Sequence, residues 1–111
     1  MAQIRRAAAL VLIAISFQSA CVPPSTDVPT MIRARWAGTG QEGRAVRIAY
    51  CESKFNPLAQ NRRSSAFGVF QFLNSTWKGT GIQKTPDPGL QIEAAYRLWM
   101  ARGWQPWSCR G

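Results

Sequence analysis

Glu52 sits between a cysteine and a serine in Tyr50-Cys51-Glu52-Ser53. Gly68-Val69-Phe70-Gln71-Phe72 follows sixteen residues on, and then Ser75-Thr76-Trp77. From Ser53 to Pro86 there is no other Asp or Glu, while the same stretch is full of aromatic, amide and hydroxyl side chains. An isolated carboxylic acid against an apolar, amide-lined surface is suited to general acid chemistry. It keeps its proton closer to neutral pH and can pass it to a departing oxygen such as that of a sugar. Ser53 reads as a helix-terminal hydrogen bonder rather than a nucleophile, because the chain has no histidine to activate it.

Gln41 to Ser53 reads as a helix, since Ala45, Ile48, Ala49 and Glu52 share one face at i, i+3, i+4, i+7 spacing. Glu52 then falls in its last turn, at the edge of the core-facing stripe. Partial desolvation there raises the carboxyl pKa, and Lys54 next door opposes that shift. Asn56-Pro57 is expected to stop the helix. Asn61 to Ser65 is a polar, basic loop. Phe67 to Leu73 is too short to classify by period. Asn74 is placed as the N-cap of a turn of helix through Trp77, and Lys78 to Lys84 as a Gly-containing loop. The clearest helix lies between Asp87-Pro88, an N-cap with proline at the first position, and Gly103. Its stripe is Ile92, Ala95, Tyr96, Trp99 and Met100. With no internal repeat and no run that could build a sheet, the expected fold is mainly α, a single small domain over residues 41–111.

The first twenty residues are set aside as an export signal. Arg5 and Arg6 precede an apolar run from Ala7 to Phe17, and small residues end the segment before Cys21. It is short for a membrane span. Cys21 after Ser19-Ala20 resembles a bacterial lipoprotein signal, in which that cysteine carries the lipid. An ordinary cut near Ala20 is the rival. Three cysteines in an oxidising compartment leave one over, so if Cys21 is lipidated, Cys51 and Cys109 are left to pair. By chain entropy such a bridge contributes about 4 kcal/mol. Cys21 to Thr30, rich in Pro, Ser and Thr, reads as an extended tether. At ~3.1 Å per residue it would hold a domain about 30 Å from an anchor. Met31 to Gly40 stays open between a short helix ending at Gly38 and an irregular lead-in.

The whole chain carries a net charge of +9, and without Arg5 and Arg6 twelve Lys or Arg face five Asp or Glu. Such a balance fits a solvated basic surface or a polyanionic partner: nucleic acid, anionic lipid, or a cell wall with its carboxylates. The export signal argues against nucleic acid. Without histidine or a CxxC pair no metal site is expected, and no cofactor.

In order and spacing, these segments resemble the lysozyme-like superfamily of peptidoglycan-cleaving domains, in particular the soluble lytic transglycosylases and the resuscitation-promoting factors. Cys51-Glu52-Ser53 with Phe55-Asn56-Pro57 looks like the family's glutamate-serine motif. Gly68-Val69-Phe70-Gln71-Phe72 looks like its Gly-Leu-Met/Phe-Gln segment, and Ser75-Thr76-Trp77 like the start of its next helix. Gln91-Ile92 to Tyr96 resembles the helix behind the active site, and Trp104, Pro106-Trp107 and Cys109 the tail of the cysteine-stapled short forms. Phe70 stands where methionine is frequent, Phe67 where a small residue is common, and the longer members' Ala-Tyr-Asn segment is missing.

The resemblance implies a monomeric, exported lytic transglycosylase acting on peptidoglycan glycan strands in the cell envelope, with Glu52 as acid and base. Gln71 is implied to bind substrate or orient Glu52, or else to satisfy loop backbone. Tyr96 would contact the carboxyl or the acetamido group, or serve as a core tyrosine. Phe70 and Trp77 would stack on sugars or fill the core, and Ser64 and Ser65 would face the cleft. A second carboxylate, expected of a standard hydrolase, is sought among Glu42, Asp87 and Glu93. Asp87 reads better as a cap, and Glu42 and Glu93 as solvated helix positions. A water-using hydrolase and a silent wall-binding module are the alternatives.

Overall fold

A computed structural model of the chain describes residues 27–111. The export segment, Cys21 and the first part of the tether lie outside the described residues. Among the described residues there are four helices, α1 (Val28–Arg35), α2 (Glu42–Ser53), α3 (Asn74–Thr80) and α4 (Pro88–Arg102). Helix α1 crosses α2 and α4, and α3 packs on α4. The domain is mainly α, with only two isolated antiparallel bridges, Gln60 to Phe67 and Phe67 to Phe72.

Helix α1 begins earlier than the reading of Met31 to Gly40 allowed. Asp27 caps it, accepting from Thr30 N–H at 3.1 Å and from the Thr30 hydroxyl at 2.8 Å. Pro29 stands in the first turn, where a missing N–H is harmless. This helix carries Ile32 and, just past its end, Trp36, both fully buried. The Trp36 ring lies within 6.0 Å of Phe70, Tyr96, Trp99 and Trp104, so one side chain joins α1, the 68–72 turn, α4 and the tail. Each such aromatic pair is worth about 0.5–1.5 kcal/mol beyond its burial.

Helix α2 matches the expected span and buries Ala45, Ile48 and Ala49 completely. It ends sooner than Asn56-Pro57 requires, because Lys54 takes a left-handed conformation and donates its N–H to Tyr50 O. Phe55 follows at φ 65°, a second consecutive non-glycine residue in that region. Asn56 then turns the chain, its side-chain oxygen accepting from Leu58 N–H at 2.9 Å.

Helix α3 starts at Asn74 rather than being capped by it, and the Ser65 hydroxyl takes the orphan Asn74 N–H at 3.0 Å. It runs on to Thr80, so the first three residues of the expected loop are helical. Helix α4 has the expected ends: Asp87 accepts from Leu90 N–H at 2.8 Å, and Gly103 closes it. Its buried face is rotated from the expected stripe. Gln91, Ile92, Ala94 and Ala95 are buried, whereas Met100 is 65% exposed.

The tail lies along α2. The Trp104 indole N–H donates to Gln41 Oε1 at 2.8 Å, and Arg44 Nε donates to Arg110 O at 3.1 Å. Cys109 is bonded to Cys51 across a Cα separation of 6.1 Å. The pairing inferred from cysteine parity is present, and it closes a loop of 58 residues.

Candidate active site

Glu52 lies in the last turn of α2, half-buried, one residue after the cysteine that anchors the tail. Its Oε2 accepts from Cys109 N–H at 3.3 Å and, at 3.5 Å, from the Ser108 hydroxyl. Burial pushes the carboxyl pKa above its ordinary range. The Cys109 amide and the Ser108 hydroxyl pull against that shift without cancelling it. Lys54, expected to oppose the shift, does not contribute to it. Because both donors are neutral, the proton-bearing form is not expelled by a neighbouring cation.

The other carboxylates are committed elsewhere. Asp27 and Asp87 cap α1 and α4. Glu42 accepts from Gly38 N–H at 3.3 Å. Glu93, expected to be merely solvated, is gripped by Arg35 at 2.6 Å and by Arg97 at 3.3 Å. Those two guanidiniums, Arg35 foremost, hold the Glu93 carboxyl below the usual range. None of the four is among the hydrogen-bond partners of Glu52.

Ser53 bridges the site to the next segment. Its hydroxyl bonds Val69 O at 2.7 Å and also lies 3.2 Å from Ala49 O, which ties the 68–71 turn to the end of α2. That turn is closed by reciprocal bonds of 3.1 Å between Phe67 and Phe72. Gln71, at φ 54°, spends both amide protons on loop carbonyls, those of Ala59 and Gly68, each at 2.9 Å. The loop-satisfying role therefore accounts for its nitrogen, while its side-chain oxygen has no partner among the described residues. Ser64 and Ser65 accept from Ala66 N–H and Asn74 N–H, which shapes the loop they lie on.

Phe70 and Trp77 are placed in the core, 2% and 3% exposed, with no ring face open to a sugar. Phe70 packs against Trp36 and Trp107, and Trp77 against Phe72. Tyr96 is half-buried on α4 with the Arg35 guanidinium 3.6 Å over its ring and Trp36 at its edge, and it is not among the partners of Glu52.

Sequence reasoning passed over Gln91. This fully buried amide accepts from Val69 N–H at 2.8 Å and donates to Pro57 O and Thr85 O at 2.9 and 2.8 Å. One side chain thus clamps three loop segments to α4. A Cβ on Gly68 would lie 2.8 Å from the amide, so only glycine fits opposite it. The signal was an amide inside an apolar stripe, together with a glycine opening the Gly-Val-Phe-Gln turn.

Beside the tail runs a groove of about 370 Å³ between α3 and α4. Ser75, Thr76 and Gly79 line one wall, Arg97 and Arg102 the other, with Pro106 among its lining residues. Among the described residues no group of three His, Cys, Asp or Glu side chains is placed to hold a metal ion.

In comparison with known proteins, residues 36–110 match the family model described as Transglycosylase-like domain. No curated protein matches, and no solved structure does.

Proposed function

The chain belongs to the transglycosylase-like domain family, and from that premise we propose that it cleaves peptidoglycan as a lytic transglycosylase with Glu52 as its single acid and base. Membership implies a glycosidic-bond-cleaving enzyme with peptidoglycan as substrate. The observation that carries the finer reading is the isolation of Glu52. Burial raises its pKa, and its two hydrogen-bond donors, the Cys109 amide and the Ser108 hydroxyl, are both neutral.

Neutral Glu52 gives its proton to the oxygen between N-acetylmuramic acid and N-acetylglucosamine as that bond breaks. The muramic ring develops oxocarbenium character at C1. With no second carboxylate beside Glu52, the sugar's own N-acetyl oxygen stabilises C1. Glu52, now ionised, removes the proton from the C6 hydroxyl, whose oxygen closes onto C1 as a 1,6-anhydro ring. Glu52 ends protonated, as it began, and no water is consumed. The Cys109 amide and the Ser108 hydroxyl stabilise the carboxylate during the interval in which it is charged.

The export segment and a lipid on Cys21 belong to the same reading, because the wall lies outside the inner membrane and a tether would confine cutting to its reach. The domain then works as a monomer against glycan strands.

The test is incubation of residues 22–111, expressed in an oxidising compartment, with purified peptidoglycan, followed by mass spectrometry of the released fragments. Anhydro products one water lighter than the hydrated species are expected, with a loss of about a thousandfold or more in Glu52→Gln. Hydrated reducing ends would make the enzyme a hydrolase. Wall binding without any product would make it a silent binding module.

A further inference from the structure

The groove between α3 and α4 contains chemistry that proton transfer at Glu52 does not use. Arg102 is exposed on its wall and makes no hydrogen bond or ion pair among the described residues. Arg97 is held in place by Glu93 through Nε at 3.3 Å and by Thr80 O through Nη1 at 3.2 Å, which leaves Nη2 without a partner among the described residues. The hydroxyls of Ser75 and Thr76 on the facing wall are likewise unpaired within the described residues. No Asp or Glu lines the groove. The wall is open at Gly79, where a Cβ would meet nothing within 4 Å.

The groove is also close to the acid. Pro106 lines it, and Ser108, two residues along, donates toward Glu52. Two residues of extended chain span at most ~7 Å. The Pro106 end of the groove therefore lies within about one or two sugar lengths of the residue that donates to Glu52. Muramic acid differs from its partner sugar by a lactyl arm that ends in a carboxylate, or in a peptide that carries several. A guanidinium without an acid of its own, beside two free hydroxyls, is matched to that group in charge and in hydrogen-bond geometry.

We propose that this groove binds a carboxylate borne on the muramic acid arm, and that Arg102 is the residue that selects for it. The assignment rests on the reading of the chain as a peptidoglycan-cleaving enzyme, and it adds what that reading lacks, a reason to prefer muramyl strands over neutral aminosugar polymers. Arg102 also lies in the last turn of α4, where a cation favours the helix dipole. That role concerns stability and is indifferent to the chemistry of the ligand.

The experiment measures affinity in the Glu52→Gln chain, so that strands remain uncut. Soluble strands are prepared with their peptides and after amidase stripping, each with carboxyls free or converted to methylamides. Free carboxyls are expected to bind about tenfold more tightly than blocked ones. Adding Arg102→Gln should erase that difference, and Arg102→Lys should keep most of it. Gly79→Leu, at a helical position with open space, should fold and weaken binding of the free strands by obstruction. A preference seen only on peptide-bearing strands assigns the stem peptide; one seen on stripped strands assigns the lactyl carboxylate. Equal affinity for free and blocked strands, or a preference that survives Arg102→Gln, overturns the proposal. Cleavage of the same strands by the unsubstituted chain is scored separately. Absence of cleavage beside charge-dependent binding would overturn the enzymatic reading and leave the groove assignment standing.

Discussion

Glu52 and Glu93 are both partly buried carboxylates on helices that face the same core, yet their surroundings drive them in opposite directions. Glu93 bridges α1 and α4 between two guanidiniums and is held ionised. Glu52 is held by a backbone amide and a hydroxyl, and burial favours its neutral form. The fixing devices differ as well. The α1–α4 side depends on ion pairs of half-exposed arginines, while the Glu52 side depends on a disulfide one residue from the carboxylate. A carboxylate surrounded by cations can only remain charged. One positioned by a covalent staple and neutral donors is free to exchange a proton.

The strongest way to break this contrast is to remove the staple. Cys51→Ser with Cys109→Ser should cost about 4 kcal/mol, read from the denaturant midpoint. Where the domain still folds at low temperature, activity should fall further than the folded fraction, since the tail amide no longer meets Glu52. Activity that merely tracks the folded fraction would reduce the disulfide to a staple.

The contrast can also be inverted at one residue. Ser108 is exposed, and Ser108→Arg would give Glu52 the kind of neighbour that Glu93 has. The carboxyl pKa should drop, and kcat/KM at neutral pH should fall by about a hundredfold. The surviving activity should be confined to more acid pH, as a pH–rate profile would show. An unmoved profile would mean that Glu52 does not titrate in the rate-determining step.

The smallest effects come from neutralising each acid in turn and following stability against pH. Glu93→Gln should cost about 0.5–1 kcal/mol at neutral pH. That cost is present above the ordinary carboxylate pKa, disappears as pH falls through the lowered folded value, and shrinks in high salt. Glu52→Gln should slope the other way. A raised folded pKa contributes stability below the ordinary value and loses it as pH rises through the folded one. The substituted chain should therefore be slightly the more stable of the two at neutral pH. Parallel slopes for the two variants would erase the distinction.

Much of this arrangement was legible because it is written locally. Asp87-Pro88 and Gly103 bound α4, the one-face spacing of Ala45, Ile48, Ala49 and Glu52 set α2 and the place of the acid, and cysteine parity joined Cys51 to Cys109. What stayed hidden depends on partners distant in the chain. Val28 to Thr30 looked like tether because Pro29 dominates the composition, yet a proline in the first turn suits a helix capped by Asp27. Phe70 and Trp77 could have been platforms or core, and only the closure of Trp36, Trp107 and Phe72 over them decides it. Gln91 was invisible as a clamp because its three partners come from three loops. Glu93 was read as solvated because Arg35 lies 58 residues away.

The aromatic centre has an optical consequence. Four of the five tryptophans, Trp36, Trp99, Trp104 and Trp107, are joined ring to ring at 5.3–6.0 Å, while Trp77 stands apart beside Phe72. Indoles held that closely at fixed tilts couple their electronic transitions and report as one chromophore. Because two of the four belong to the tail that carries Ser108 and Cys109, near-ultraviolet circular dichroism becomes an unlabelled gauge of whether that tail is docked.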